Sequence, residues 1–279
     1  MRKIAAAALA VILACLLCAG AQAEGNWLES VLGEAPLSGQ DGQTVALLYV
    51  DGTIDAYDYW YDHQGTLEAI DALTDEAQNE ALLLVLNTPG GNIYEADELY
   101  HALMTYKAET GRPIYAYMAQ ECCSAGVLVA MAADTVMAAR MTLTGSIGVY
   151  TETYSEAGLY KKLGIEHTYI ATGENKVSGY PEMTKEQIAI TQGMLEENFG
   201  YFKEAIAAAR GLSEEQMAPF LDGRMLTAVQ AKEMGLIDRV LYYDEAQDYV
   251  LGLHEGAEIV DVTPAWDDAD AAGSLLDWL

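Results

Sequence analysis

The chain has 279 residues, of which 52% are apolar, and its 43 acidic side chains against 14 lysines and arginines give a formal net charge of −29. Nucleic acid is excluded as a main partner, because binding it requires basic side chains that neutralise phosphates. The apolar content excludes a disordered acidic chain, and four cysteines, two of them within the first 18 residues, do not make a disulfide scaffold. The length suits one large domain or two small ones.

The first 23 residues have the organisation of an export signal. Arg2 and Lys3 precede an apolar run over Ile4–Cys18, and Ala21-Gln22-Ala23 supplies the small-residue pattern of a cleavage site. The run is shorter than the roughly 20 residues of a typical membrane span. The pattern predicts a signal peptide over residues 1–23, with an uncleaved anchor as the alternative. The protein is therefore expected outside the cytoplasm, and at the membrane surface through its N-terminus if the signal stays attached.

Strand and helix patterns alternate along the rest of the chain. Buried strands are predicted at Val45–Val50, Leu82–Leu86 and Ile114–Met118, with helical spacing of apolar residues between them. A wholly apolar helix is predicted over Val127–Ala133, and a capping box at Thr184–Gln187 begins a long later helix. This alternation predicts an α/β fold with a mainly parallel sheet and right-handed crossovers.

Three parts are predicted after the signal. They are a linker or N-terminal extension over residues 24–44, one α/β domain over residues 45–253, and an acidic C-terminal tail over residues 254–279.

Two turns between a strand and a helix are candidates for chemistry. In Pro89-Gly90-Gly91, glycines free the backbone N–H groups to face a ligand, and the following helix start favours negative charge. In the second turn, Ser124 lies at a helix start, where the Ala125 N–H could hold a tetrahedral oxyanion. The alternatives are a tight turn without a ligand for the first and a helix-capping serine for the second.

A serine nucleophile needs a base, and the histidines do not provide an obvious one. All four lie in ordinary contexts, outside small-residue turns (His63, His101, His167 and His254). A serine–lysine pair is the remaining possibility. Lys176 lies in a small-residue loop, Thr172–Gly179, whereas most other lysines fall on helical patterns as solvated faces. Lys185, in the first turn of a predicted helix, is the rival.

Several segments together resemble the SppA signal peptide peptidases. They occur in the order of that family over about Val45–Val240: Asn87–Gly91, Cys123–Gly126, Met131–Asp134, Thr142–Val149, Asp222–Arg224 and Ala231–Asp238. The order of the motifs makes the resemblance more specific than any one of them.

The resemblance implies a role for individual residues. Ser124 corresponds to the nucleophile, Lys176 to the general base and Ser146 to the serine that orients the lysine amine. Gly91, with Gly90 beside it, corresponds to the oxyanion turn. It also implies the ClpP/crotonase-like fold of stacked ββα units, homo-oligomers in rings or domes, no cofactor, and cleavage of apolar peptides such as remnant signal peptides.

The substrate pocket departs modestly from the pattern of that family. Cys123 precedes the serine where a small residue such as alanine is usual, and Val127-Leu128 replaces the frequent aromatics. Together with Tyr94, which follows the glycine turn, Val127 and Leu128 predict an apolar pocket. Cys122 and Cys123 are expected to be small buried thiols behind the nucleophile, because a disulfide between adjacent cysteines would be strained.

Three other functions are alternatives. The first is a ClpP-like Ser-His-Asp peptidase, but this chain has no histidine soon after Ser124. The second is a crotonase-like acyl-CoA enzyme, but a strongly acidic exported chain is poorly suited to a phosphate-rich coenzyme. The third is a catalytically inactive scaffold of the same fold that binds extended peptides. The aromatic segment Ala46–Asp62 is either an interface between subunits or a flap on its own subunit.

Overall fold

A computed structural model describes Leu37 and residues 42–264 of the chain. The predicted signal peptide, most of the N-terminal extension and the end of the acidic tail lie outside these residues. Within them, no helix is both long and apolar enough to cross a bilayer.

The first half of the described chain alternates strands and helices as predicted. The elements are β1 (Thr44–Asp51), α1 (His63–Asp75), β2 (Asn79–Thr88), α2 (Ile93–Thr110), β3 (Ile114–Cys123), α3 (Ala125–Ala130), β4 (Thr135–Ala138) and β5 (Leu143–Gly145). The second half is mostly helical, with α4 (Ala157–Leu163), α5 (Lys185–Arg210), α6 (Glu214–Met217), β6 (Met225–Thr227), α7 (Ala228–Glu233), β7 (Arg239–Val240), α8 (Tyr243–Leu251) and β8 (Glu258–Asp261).

The strands form one sheet of eight, which runs β6-β5-β3-β2-β1-β8, while β4 pairs with β3 and β7. Every pairing is parallel except that of β5 with β6. The α/β prediction with a mainly parallel sheet is confirmed. Helices cover both faces, which explains the continuous apolar runs of β1 and β2.

Two predicted element boundaries and one domain boundary need correction. Strand β3 continues past Met118 to Cys123. Its first part pairs with β2 and β4, and its last residues pair with β5, which extends the strand. Helix α3 begins at Ala125, two residues before the predicted start, and ends at Ala130. The sheet also continues beyond residue 253, since β8 pairs with β1 over Glu258–Asp261. The predicted tail therefore begins with a strand of the domain.

The long helix α5 begins as its sequence predicts. The Thr184 side chain accepts the Gln187 N–H at 3.1 Å, and the Gln187 side chain accepts the Thr184 N–H at 3.1 Å. This capping box satisfies donors that the first helical turn leaves unpaired. It fixes the helix whose middle part forms one wall of the site described next.

Candidate active site

Two serines end neighbouring parallel strands side by side. Strands β3 and β5 pair Cys123 with Gly145, so the next residues, Ser124 and Ser146, emerge together from the same edge of the sheet. The Ser124 N–H donates to the Gly145 carbonyl at 2.9 Å. Since paired strands lie about 4.8 Å apart, the two side chains are neighbours.

Both serines have a backbone conformation that normally favours glycine. Their φ angles are 50° for Ser124 and 51° for Ser146, and they are the two non-glycine residues with positive φ in the described chain. Such a conformation costs on the order of 1–3 kcal/mol and concentrates at functional sites. At Ser124 it turns the chain out of the strand just before helix α3, and the half-buried serine makes no side-chain capping bond to that helix.

The glycine turn packs directly on Ser124. A Cβ atom on Gly90 would lie 2.8 Å from the Ser124 Cβ and 3.1 Å from the Ala125 nitrogen. Glycine at this position therefore allows the turn to approach the start of α3. The Gly90 N–H already donates to the Thr88 hydroxyl at 3.1 Å, so Gly90 serves the site mainly by this close approach.

The neighbouring Gly91 is held by an isolated bridge to Ile54. The Ile54 N–H donates to the Gly90 carbonyl at 2.9 Å, and the Asn92 N–H donates to the Ile54 carbonyl at 2.8 Å. Neither bond engages the Gly91 N–H. Ala125 is the first residue of α3, where a helix leaves its N–H groups unpaired. The N–H groups of Gly91 and Ala125 therefore have no backbone partner in these contacts and can donate to a ligand oxygen.

A cavity of about 940 Å³ joins these parts. Ser124, Ser146, Gly90 and Gly91 line it together, so the structure brings together four of the predicted site residues. Side chains of α5 form the opposite wall, and much of the lining is apolar (Ile147, Val149, Leu195, Phe199 and Leu221). The charged residues in the lining are all acidic (Asp55, Glu196 and Asp222).

Lys176 is not among the residues that line this cavity. It is exposed, in a turn closed by the Lys176 N–H and the Gly173 carbonyl at 3.1 Å. The Gln187 amide, which donates to the Val177 carbonyl at 3.1 Å, ties this loop to the start of α5. One chain therefore presents the predicted nucleophile and the predicted base at separate places.

The loop belongs to a segment with an unusual surface. No residue between positions 148 and 186 is buried, although the segment includes helix α4. Large apolar side chains stand exposed along it (Tyr150, Tyr154, Leu159, Leu163, Ile165, Tyr169 and Ile170). We call residues 148–186 the exposed arm. An arm of this composition has the character of a surface that is covered by a partner.

The three predicted pocket residues lie elsewhere. Val127 is fully buried within α3, whereas Tyr94 and Leu128 line a second cavity between α2 and α5. Residues that are close in sequence to Ser124 or to the glycine turn do not all face the Ser124 cavity, because successive residues of a helix point in different directions. The spacing of the wall residues Leu195 and Phe199 predicts a helix, but the sequence contains no signal for the cavity that the helix faces.

The cysteines and histidines of the described chain lie outside the lining of the Ser124 cavity. Burial raises the pKa of the Cys123 thiol to about 11 and raises that of Cys122 well above its usual value. His63 contacts Tyr61 and Glu98, and His254 contacts Tyr115 and Glu80, away from the cavity. Among the described residues, no histidine lines the cavity.

The fold is similar to those of two solved protease structures. A TM-score of 0.54 relates the chain to a serine-to-alanine mutant of the 1510-N membrane-bound stomatin-specific protease, at 15% identity over 81% of this chain and 100% of that one. A point mutant of ClpP1 from Listeria monocytogenes gives a TM-score of 0.51, at 15% identity over 78% of this chain and 98% of that one. These likenesses confirm the predicted ClpP-like fold.

Sequence relatives have protease names. A protein of Enterococcus faecium named as a signal peptide peptidase SppA is 28% identical over 221 residues, which are 78% of this chain and 63% of that protein. The chloroplastic serine protease SPPA of Arabidopsis thaliana is 29% identical over 177 residues, 62% of this chain and 26% of that protein. The chain thus spans less than two thirds of each of these relatives.

The family model described as peptidase family S49 matches residues 107–254, just over half of the 279 residues. The match contains Ser124, Ser146 and Lys176 and ends shortly after helix α8. On this match, together with the fold, the protein belongs to peptidase family S49.

Proposed function

We propose that the protein is a serine endopeptidase that uses Ser124 as nucleophile and Lys176 as general base. The observation that supports this best is the geometry of Ser124, which leaves its strand at positive φ between the Gly90-Gly91 turn and Ser146 in one cavity. A capping serine would need no such strain and no glycine packed against it. Family membership supports the same chemistry.

The reaction requires only groups of the protein and water. The neutral amine of Lys176 takes the proton of the Ser124 hydroxyl while Oγ bonds to the scissile carbonyl carbon. The N–H groups of Gly91 and Ala125 hold the oxyanion, and Ser146 orients the amine. The C–N bond then breaks as lysine returns the proton to the leaving amine. Neutral Lys176 then takes a proton from a water molecule whose oxygen bonds to the acyl carbon, and it returns this proton to Ser124 Oγ as the ester C–O bond breaks.

The base is proposed to come from a second copy of the chain. Lys176 is exposed and lies on the exposed arm, whose apolar side chains are otherwise left in water. Docking of the arm against a neighbouring subunit would bury these side chains, and would bring Lys176 towards the apolar part of the Ser124 cavity. The protein would then be active only as a homo-oligomer, with each site built from two subunits.

The substrates are proposed to be apolar peptides, such as remnant signal peptides, outside the cytoplasm. The apolar side chains in the Ser124 cavity support an uncharged residue at the cleaved bond. The export pattern of residues 1–23 supports the location, either as a removed signal or as a membrane anchor. Sequencing the N-terminus of the exported protein distinguishes the two: a start at Glu24 indicates removal.

A complementation experiment tests both the dyad and its sharing. Ser124→Ala and Lys176→Ala should each abolish hydrolysis of an apolar peptide without changing the circular dichroism spectrum. Mixed under conditions in which labelled subunits exchange, they should regain a fraction of the activity, because some sites then pair an intact serine with an intact lysine. Lys176→Arg should also be inactive, since arginine stays protonated.

Two matched variants and one probe make the outcome decisive. Lys161→Ala removes an exposed lysine from α4 of the same arm, and this variant should keep its peptidase activity. If Lys185→Ala loses the activity while Lys176→Ala retains it, Lys185 is the base. Exchanged mixtures that stay inactive would place the dyad within one chain. A fluorophosphonate that fails to label Ser124 in the assembled protein would favour the inactive peptide-binding scaffold.

A further inference from the structure

A second cavity, of about 710 Å³, lies between helices α2 and α5. Four aromatic rings contribute to its lining, and two carboxylates are its charged side chains (Tyr94, Tyr100, Tyr201 and Phe202; Asp97 and Glu204). Lysine, arginine and histidine are absent from the described residues that line it. We call it the α2–α5 cavity. Its combination of aromatic surface and carboxylates is suited to a cation that has an apolar stem.

Two further carboxylates, Glu197 and Glu98, lie beside the tyrosines that line the cavity. The Tyr201 hydroxyl donates to Glu197 at 3.2 Å, and this hydrogen bond, with the nearby charges of Glu204 and Asp97, raises the pKa of Tyr201. The pKa of Tyr94 is similarly raised by its hydrogen bond to Glu98. These shifts have the direction expected where a further negative charge is disfavoured and a positive charge is favoured.

The rings at the mouth of the cavity are accessible. Tyr94 and Tyr201 are 65% and 58% exposed, although each has a large apolar ring. The electron-rich face of such a ring attracts a cation even at an exposed site. The guanidinium of arginine, which stacks on rings and bonds carboxylates with its planar fork, suits these two partners better than the compact lysine ammonium.

The α2–α5 cavity and the Ser124 cavity are lined by neighbouring residues of the same two segments. Helix α5 lines the Ser124 cavity with residues from Gln192 to Phe199 and the second cavity with residues from Asn198 to Ala208. Likewise Asn92 belongs to the first lining and Ile93 to the second. The middles of the two stretches are about seven residues apart, or on the order of 10 Å at 1.5 Å per helical residue. An extended peptide covers this distance in about three residues.

We infer that the α2–α5 cavity is a subsite for a basic side chain, arginine above all, about three residues from the bond that is cut at Ser124. This subsite rests on the proposed peptidase function. It would select apolar peptides that also carry a positive charge at a fixed distance. The apolar residues at the cleaved bond fill the Ser124 cavity, and the basic residue anchors the register of the peptide.

Peptide cleavage with a positional scan tests the subsite. One apolar peptide of defined cleavage site is prepared with a single arginine at the second, third or fourth residue on either side of the bond, and each is compared with a citrulline version of the same shape. At low salt, kcat/KM should be about 5–20-fold higher for arginine than for citrulline at one position near the third residue. An equal preference at every position, or none, would overturn the inference.

Paired charge variants locate the effect. In Asp97→Asn/Glu204→Gln the arginine-to-citrulline ratio should fall to about 1–2. The control Asp71→Asn/Glu109→Gln removes the same charge from exposed sites on α1 and near the end of α2, and should keep the ratio. A fall of equal size in both would mean that the general field of the acidic protein attracts the peptide, and would overturn the inference.

Binding separates failure of the subsite from failure of the peptidase proposal. Fluorescence anisotropy of the labelled peptides on Ser124→Ala reports the arginine preference without any cleavage. If no peptide is cut by the intact serine protein, the proposed function fails, while the preference in binding still decides the subsite. Loss of that preference in Asp97→Asn/Glu204→Gln supports the subsite, and its persistence there overturns it.

Discussion

Replacing Gly90 by alanine should damage both the fold and the oxyanion site, for reasons that can be separated. The new methyl would lie 2.8 Å from the Ser124 Cβ and 2.9 Å from the Cys123 carbonyl oxygen, which is closer than real Cβ contacts. The φ of +107° adds strain that glycine does not have. Strain on the order of 1–3 kcal/mol and overpacking of similar size give a loss of about 2–6 kcal/mol in the free energy of unfolding.

The effect of Gly90→Ala on catalysis follows from the contact between the new methyl and Ala125. The methyl would lie 3.1 Å from the Ala125 nitrogen, so it would occupy the space in front of an N–H proposed to hold the oxyanion. Loss of one such donor typically lowers the rate about 100–1000-fold. Urea denaturation gives the stability change, and the rate of fluorophosphonate labelling at Ser124, corrected for the folded fraction, gives the chemical one.

Gly111→Ala is the matched control. Gly111 also has positive φ, +68°, but a Cβ there would meet nothing within 4 Å. Gly111→Ala should lower the free energy of unfolding by about 1–2 kcal/mol, the cost of a left-handed backbone at alanine, and should leave the rate of fluorophosphonate labelling unchanged. If Gly90→Ala matched Gly111→Ala in both measurements, the close packing of the glycine turn on Ser124 would be wrong, and with it the oxyanion assignment.

Three further outcomes are expected. Asp238→Asn breaks a two-bond ion pair with Arg210, at 2.6 and 2.8 Å, and should cost about 1.5–3 kcal/mol at pH 7 by urea denaturation. Burial is the largest single influence and raises the pKa of Asp238, but the hydrogen bonds from Arg210 and the Val136 N–H, with the charges of Arg210 and Arg239, together lower the pKa overall. The stabilisation is therefore complete above the pKa of the unfolded chain, about 4, and the difference between the two proteins should shrink as the pH falls below it. The Cys122 and Cys123 thiols, whose pKa values are raised by burial, should resist iodoacetamide at pH 8 until urea unfolds the chain; rapid labelling of the native protein would contradict their packing. Any lysine acts as a base only in its neutral form, so hydrolysis of apolar peptides should rise with pH between about 6 and 9, and a fall over this range would refute a lysine base.

Local patterns in the sequence were sufficient for the first three strands, the helices between them and the start of the long helix α5. The apolar runs at Val45–Val50 and Leu82–Leu86 can only be strands covered on both faces, and the Thr184–Gln187 box specifies a helix start by reciprocal hydrogen bonds between near neighbours. Ser124 could be singled out for the same reason, since a serine in a small-residue turn between a strand and an apolar helix is a local feature. All of these depend on contacts between residues close in the chain.

Contacts between distant segments needed the tertiary structure. The register of β3 with β5 places Ser124 beside Ser146, and this pairing joins residues 22 positions apart. Strand β8, within the predicted tail, is short and only partly buried, so its pattern is weak until β1 provides its partner. The walls of both cavities come from α5, whose amphipathic spacing identifies a helix but not the element that it faces.

The sequence by itself determined the α/β class, the first three strands with the helices between them, and the serine that follows β3. Hydrophobic periodicity and turn chemistry are properties of short stretches, and they are the same wherever the stretch is placed. Only the tertiary structure decided which side chains meet: it brought the glycine turn and the two serines into one cavity, left Lys176 out of it, and opened a second cavity beside Tyr94. The physical reason is that such meetings depend on strand register and helix packing, which are set by the whole core at once.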